Sequence, residues 1–278
     1  MIVKRLIKTK AFSISIFLFG ALSGSIHASE DTVHWDMNVG VSLLDFGYKE
    51  FDDNGVLLDR EDGIIPGVIA GFGVGQRNWR IENNLFYKYG EVDYDGQTQS
   101  GIPLTTRTTE EIFDLEVQAE YWGIGSANQG IAIYTGTGYH YWGRDIKSGT
   151  ASDGSPVTGF FETYEWWHVF VGAKGIYYHR ARHSLGVDLR VSIMRNATLQ
   201  VDLGSQKINL DLGEKPGWRL GFPWTYKVDS ELSLVFEPYI ERWELGRSNN
   251  VIVGPFIIWE PRSETRNYGM NFKVKVEF

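Results

Sequence analysis

Residues 268–278 read YGMNFKVKVEF. Met270, Phe272, Val274, Val276 and Phe278 fall on one side of this stretch, and Asn271, Lys273, Lys275 and Glu277 on the other. Period-two alternation without an exception describes a β-strand with two different faces. A chain end this two-sided resists fraying only if something apolar lies against one face. The rest of the sequence has to supply that apolar surrounding.

The same alternation recurs upstream. Val33, Trp35, Met37, Val39, Val41 and Leu43 oppose His34, Asp36, Asn38 and Ser42, while Phe113, Leu115, Val117, Ala119 and Tyr121 oppose Asp114, Glu116, Gln118 and Glu120. Further clean runs lie at 79–90, 183–193 and 218–226, with less regular ones near 64–75, 130–144, 161–175 and 231–243. Ten strands are expected. Many have about nine to twelve alternating residues, against about five or six in an ordinary globular strand, which suits a tilted crossing of a bilayer. Pro223 and Pro238 fall inside strands eight and nine. Proline donates nothing to a ladder, so a bulge or widened pairing is predicted there, and eight or twelve strands stay compatible with the pattern.

The connections alternate as well. Short ones fall near 75–78, 125–130, 176–182 and 227–231, and long polar ones near 49–63, 93–108, 145–159, 196–215 and 245–266. This rhythm is that of an all-β, antiparallel up-and-down transmembrane barrel with short inner turns and long outer loops. A water-soluble sandwich also alternates but lacks such asymmetric connections. In the barrel the apolar face meets lipid, the charged face lines the interior, and closure pairs the backbone groups that hydrocarbon leaves unsatisfied. Thr198–Leu212, TLQVDLGSQKINLDL, continues the alternation and is read as strands seven and eight extending outward as a hairpin.

The first 28 residues have the three-part form of an export signal: Lys4, Arg5, Lys8 and Lys10, an apolar run from Ala11 to Leu22, and small residues ending at Ala28. The apolar run is too short to span a bilayer as a helix. The expected organisation is a signal peptide at 1–28 and one barrel domain at 29–278. Of 27 Lys+Arg and 35 Asp+Glu, cleavage removes four basic and no acidic residues, leaving 23 against 35 and a net charge of −12. That balance argues against a nucleic-acid partner. With no cysteine, disulfides and thiolate chemistry are excluded.

The tail resembles the C-terminal signal of Gram-negative outer-membrane β-barrels, which end on an aromatic after alternating apolar positions and carry an aromatic–glycine pair earlier. Tyr268, Gly269, Phe272, Val274, Val276 and Phe278 match it. The resemblance implies a porin-like barrel of the cell outer membrane with both termini in the periplasm. It also implies recognition of the last strand by the barrel-assembly machinery, pairing of that strand with the first, and contact with outer-membrane lipid and lipopolysaccharide.

The expected inward faces carry Arg80, Lys88, Lys174, Arg190, Arg219 and Lys273 with Glu82, Asp114, Glu116, Glu120, Asp188 and Glu237. Mixed signs at this diameter fit a paired network that fills the lumen, or a narrow polar channel lined by the same residues. His140 and His168, on neighbouring strands and both expected to face inward, are the candidate catalytic residues, with Glu162 and Asp145 near in sequence. A histidine beside a carboxylate is a general base. The motifs of the outer-membrane proteases and lipid-modifying enzymes are absent, however: there is no aspartate pair with a matching Asp-x-His and no His-Ser-Asn arrangement. Gly71–Gly75 leads into no helix, and Asp52–Asp62 lacks EF-hand spacing, so neither a cofactor nor a metal site is expected. Trp35, Trp79, Trp122, Trp142, Trp166 and Trp167 are assigned to the membrane interface. The roles that fit are a structural barrel or narrow passive pore, then a surface hydrolase or a loop-based adhesin or receptor.

Overall fold

The alternating segments all become extended chain. They are β1 (His34–Phe51), β2 (Leu57–Gln76), β3 (Trp79–Gln97), β4 (Pro103–Ser126), β5 (Gln129–Ile146), β6 (Phe160–Arg180), β7 (His183–Asp202), β8 in two pieces (Pro216–Gly221 and Trp224–Lys227), β9 (Leu232–Leu245) and β10 (Arg262–Glu277). The computed structural model describes residues 32–98, 100–126, 129–204 and 206–278. The expected signal peptide, residues 1–28, lies outside the described residues.

Each strand pairs antiparallel with its neighbours in sequence. β10 returns to β1, with Val39 opposite Val274 and Val41 opposite Phe272. The result is a closed, ten-stranded, up-and-down barrel. The Phe278 amide donates to the Trp35 carbonyl at 2.8 Å, so pairing runs to the last residue. Gly40 sits on this seam, where a β-carbon would overlap the Phe272 carbonyl. Strands one and ten approach so closely there only because glycine has no side chain.

The prolines interrupt the ladder as expected. β8 breaks at Phe222–Pro223, where Gly186 donates to the Pro223 carbonyl at 2.8 Å and Phe222 to the Pro238 carbonyl at 2.9 Å. Pro238 turns its carbonyl toward β8, so its missing donor falls on the same side, at the break. The outward hairpin is also present: Lys207–Asp211 pairs with Thr198–Asp202 of β7.

The strands are longer than predicted and the long connections correspondingly shorter. β1 and β2 run to Phe51 and from Leu57, so most of the expected loop 49–63 is strand. β4 has 24 residues and reaches well into the expected loop 93–108. The reason is an inversion of polarity along the strands. Lower down, the apolar face points out: Val39, Val171 and Ile133 are each more than 60 % exposed. Outward aromatics Tyr87, Tyr89, Tyr139, Trp167, Trp218 and Tyr268 bound this belt on the loop side, as interfacial rings do. Beyond them Asp45, Asp62, Glu91, Asp93 and Asp145 face outward, while Leu44, Phe46, Tyr48, Ile65 and Val92 turn inward into a hydrophobic core. Apolar groups that face out suit a surrounding of lipid, and apolar groups that turn in suit a surrounding of water.

Trp122, Trp142 and Trp166 depart from the expectation. All three are buried inside the barrel, with Trp142 at 0 % exposure. They lie on the same face of their strands as Glu120, His140 and His168, and parity sends that face inward. Trp35, Trp79 and Trp167 do face outward.

Candidate functional site in the barrel interior

The interior is built in layers. At the short-turn end lies a cavity of about 280 Å³ whose lining includes Asp36, Arg80, Glu82, Glu120, Lys174 and Lys273. Arg80 grips Asp36 with both terminal nitrogens, and Lys174 donates to Glu120 at 2.5 Å. Gln118 donates to Glu120 at 2.6 Å. A bidentate Arg–carboxylate pair and charge-assisted contacts of this kind are the strong class of hydrogen bond.

The next layer is a set of ion pairs. Glu237 receives Arg219 and Lys273, each at 2.9 Å, and Tyr134 donates to Asp188 at 2.5 Å. Arg190 donates to both oxygens of Glu116 at 2.8 Å. Aromatic rings fill what charges leave open, with the Arg219 guanidinium 3.9 Å from the Tyr239 ring centre and that of Arg190 4.9 Å from Phe170. Tyr134 and Tyr239 lie flat over Gly172 and Gly269 of adjacent strands, positions where a β-carbon would strike the ring. All the expected lumen residues, Arg80, Glu82, Lys88, Asp114, Glu116, Glu120, Lys174, Asp188, Arg190, Arg219 and Glu237, face this interior network.

His140 and His168 face inward, as their parity predicts, but their partners differ from those near in sequence. His140 Nδ1 contacts Asp114, and His168 Nε2 lies 3.3 Å from Glu116. Asp145 instead faces outward with Lys147 at 2.7 Å, and Glu162 belongs to a higher layer. The ring of His140 stacks on Trp166 with centroids 3.9 Å apart and meets Trp243 at 5.2 Å. Its Nε2 has no hydrogen-bond partner among the described residues. A second cavity of about 70 Å³ lies here, lined by Lys88, Asp114, Glu116, His140, His168 and Arg190 among others. A carboxylate-oriented imidazole is therefore present, yet among the described residues no nucleophile is hydrogen-bonded to it.

Above the histidines, indoles and phenols pack against one another. Trp142 stacks on Tyr164 at 4.6 Å, meets Trp243 at 5.5 Å and Tyr48 at 5.2 Å, and Trp166 meets Trp243 at 5.0 Å. Over this block sits a polar cluster that the sequence reading missed. Arg144, 1 % exposed, donates to Glu162 at 2.7 Å, Glu61 at 2.9 Å and Glu50 at 3.3 Å. Tyr164 donates to Glu260 at 2.7 Å, Thr108 to Glu61 at 2.7 Å, Tyr48 to Glu50 at 2.6 Å, and Trp142 to Glu110. Burial first, and neighbouring carboxylates second, hold Asp59 and Glu110 well above the usual carboxylate range. The same burial lifts Glu162 to about 7 against the pull of Arg144. One signal could have located the cluster: in DFGYKEF the apolar set moves to the opposite parity from Val39 and Val41.

No protein-family model matches this chain, and no curated protein matches its sequence. Among solved structures it is similar to the outer membrane protease OmpT of Escherichia coli, at 11 % identity and a TM-score of 0.63, covering 91 % of this chain and 99 % of that one. The chain has the fold of an outer-membrane β-barrel. The translocator domain of the autotransporter NalP of Neisseria meningitidis matches at 11 % identity and a TM-score of 0.46, over 91 % of this chain and 90 % of that one. The outer membrane protein OprG of Pseudomonas aeruginosa matches at 11 % and 0.39, over 89 % and 97 %. At these identities the likeness is one of fold and does not extend to activity.

Proposed function

We propose that this chain is a structural barrel of the Gram-negative outer membrane that closes its own lumen instead of conducting solutes. In this reading residues 1–28 direct export, Tyr268–Phe278 is the segment the assembly machinery handles, and lipopolysaccharide surrounds the outer half of the apolar belt. One observation carries it. The two cavities described above share no lining residue, Trp166 and Trp243 line the upper one, and Trp142, stacked on Tyr164, packs on Trp243 beyond them. Solute would have to displace ion pairs and packed indoles together.

Single-channel recording on the full-length mature protein in planar bilayers tests it. The expected trace is flat, without the discrete steps of a pore, at any voltage the bilayer survives. Regular conductance steps would reinstate the narrow pore.

A surface hydrolase is the second reading, favoured by the fold shared with a protease and by the Asp114–His140 pair with its open Nε2. Trp166 and Trp243 cover that imidazole, which argues for a positioning role inside the network. Peptide and phospholipid hydrolysis assays on His140→Ala against wild type separate the two. Equal, background-level rates are expected, and a wild-type activity lost in His140→Ala would favour the enzyme.

A further inference from the structure

We propose that the outer end of the barrel is a proton-loaded lock, in which carboxyl groups around Arg144 share protons that keep the outer strands packed and release them as the surroundings become alkaline. The argument starts from charge and geometry. Six carboxyl side chains face one another above the indole block: Glu50, Asp59, Glu61, Glu110, Glu162 and Glu260, each no more than 9 % exposed. Among the described residues one cation, Arg144, forms ion pairs with them, to Glu50, Glu61 and Glu162. Six negative charges on one guanidinium, sealed from water, would be strongly unfavourable. The group most able to lower that charge is the carboxyl itself, by keeping its proton.

The unpartnered atoms point the same way. Glu61 Oε2, Glu110 Oε1 and Asp59 Oδ1 are buried and receive no donor among the described residues. Glu110 stands within hydrogen-bonding reach of Glu61, and Asp59 of Glu50. Two carboxyl groups in contact form a bond only when one of them carries a proton.

The other titratable groups facing the cluster are Tyr48 of β1, Tyr94 of β3 and Tyr164 of β6, all pushed up by burial and therefore neutral donors. β7 and β9 present Leu199, Trp243 and Leu245, which carry no charge. A carboxyl held protonated when packed, and ionised when open, makes packing strongest in acid. That stabilisation is full below the ordinary carboxylate range and is lost as pH rises through the interval up to the packed-state value, about 7 for Glu162. Glu162 by itself contributes about 30-fold to the opening equilibrium between pH 5.5 and 8.5.

Hydrogen exchange read by mass spectrometry tests the lock on the full mature barrel in lipid nanodiscs at those two pH values, after correction for intrinsic exchange. Amides beside Glu50, Glu61, Glu110 and Glu162 are expected to open at least about 30-fold more readily at pH 8.5, while amides of the belt, around Val39 and Val117, keep their protection. Glu162→Gln, which cannot ionise, is expected to remove about 30-fold of that response and stay packed at pH 8.5. Equal opening of the outer amides at both pH values in the wild type would overturn the lock, a result that needs no variant to fold. So would a full pH response surviving in both Glu162→Gln and Glu110→Gln.

Discussion

Arg144→Met is expected to destabilise the outer half of the barrel by about 3–5 kcal/mol at pH 8, the usual consequence of removing one partner from a buried charge network. The guanidinium touches Glu50, Glu61 and Glu162 at 2.7–3.3 Å and lies 4.4 Å from the Tyr48 ring centre. Methionine fills much of the volume and supplies none of the five donors. The loss should be smaller at pH 5, where the orphaned carboxyls take up protons, and that pH contrast separates loss of charge from loss of packing. Arg144→Lys should recover only part of the stability, because an ammonium cannot span three carboxylates in one plane or stack on a ring as guanidinium does. Guanidinium-chloride unfolding, followed by tryptophan fluorescence and by the heat-dependent gel mobility of folded barrels, reads the change. A midpoint for Arg144→Met that matches wild type at pH 8 would show that the cluster needs no cation.

Trp142→Ala carries the second large effect, on both stability and closure. The indole is wholly buried, packs on Phe46, Tyr48, Tyr164 and Trp243, and donates to Glu110. Truncating a buried aromatic costs about 3–5 kcal/mol, and the carboxyl of Glu110 loses its donor as well. The space left joins the aromatic block to the level of His140. Planar-bilayer recording should therefore show intermittent current steps in Trp142→Ala where the wild type is silent, with more in Trp142→Ala/Trp243→Ala. If the double variant folds and stays silent, the ion-pair layer of Arg219, Glu237 and Lys273 closes the lumen unaided, and the indoles serve stability alone.

Much of the barrel could be read directly. Strand identity, antiparallel order and the break at Pro223 follow from alternation and from proline's missing donor, while the closing partnership of the last strand with the first is what the resemblance of the tail implies. The inward placement of Asp114, Glu116, His140 and His168 follows from the same parity. Their pairing does not. His140 meets Asp114 across the β4–β5 seam, and His168 reaches Glu116 two strands away; neither distance is written along the chain. Strand length was underestimated for a physical reason as well. In 49–63 and 93–108 charged residues dominate the outward face, so stretches of strand look like polar loop. Trp142 and Trp166 were misplaced because tryptophan suits both a membrane interface and a buried core, and composition cannot separate the two.

What the sequence by itself determined is the local rule: a period of two, a side for each side chain, and a turn or break wherever glycine or proline requires one. Those are backbone and solvation effects that act within a few residues. Where along each strand lipid gives way to water was decided only by the tertiary structure. So was the gathering of Glu50, Asp59, Glu61, Glu110, Glu162 and Glu260 around Arg144, because a closed sheet sets the register of ten strands together and residues as far apart in the chain as Glu50 and Glu260 then share one dry interior.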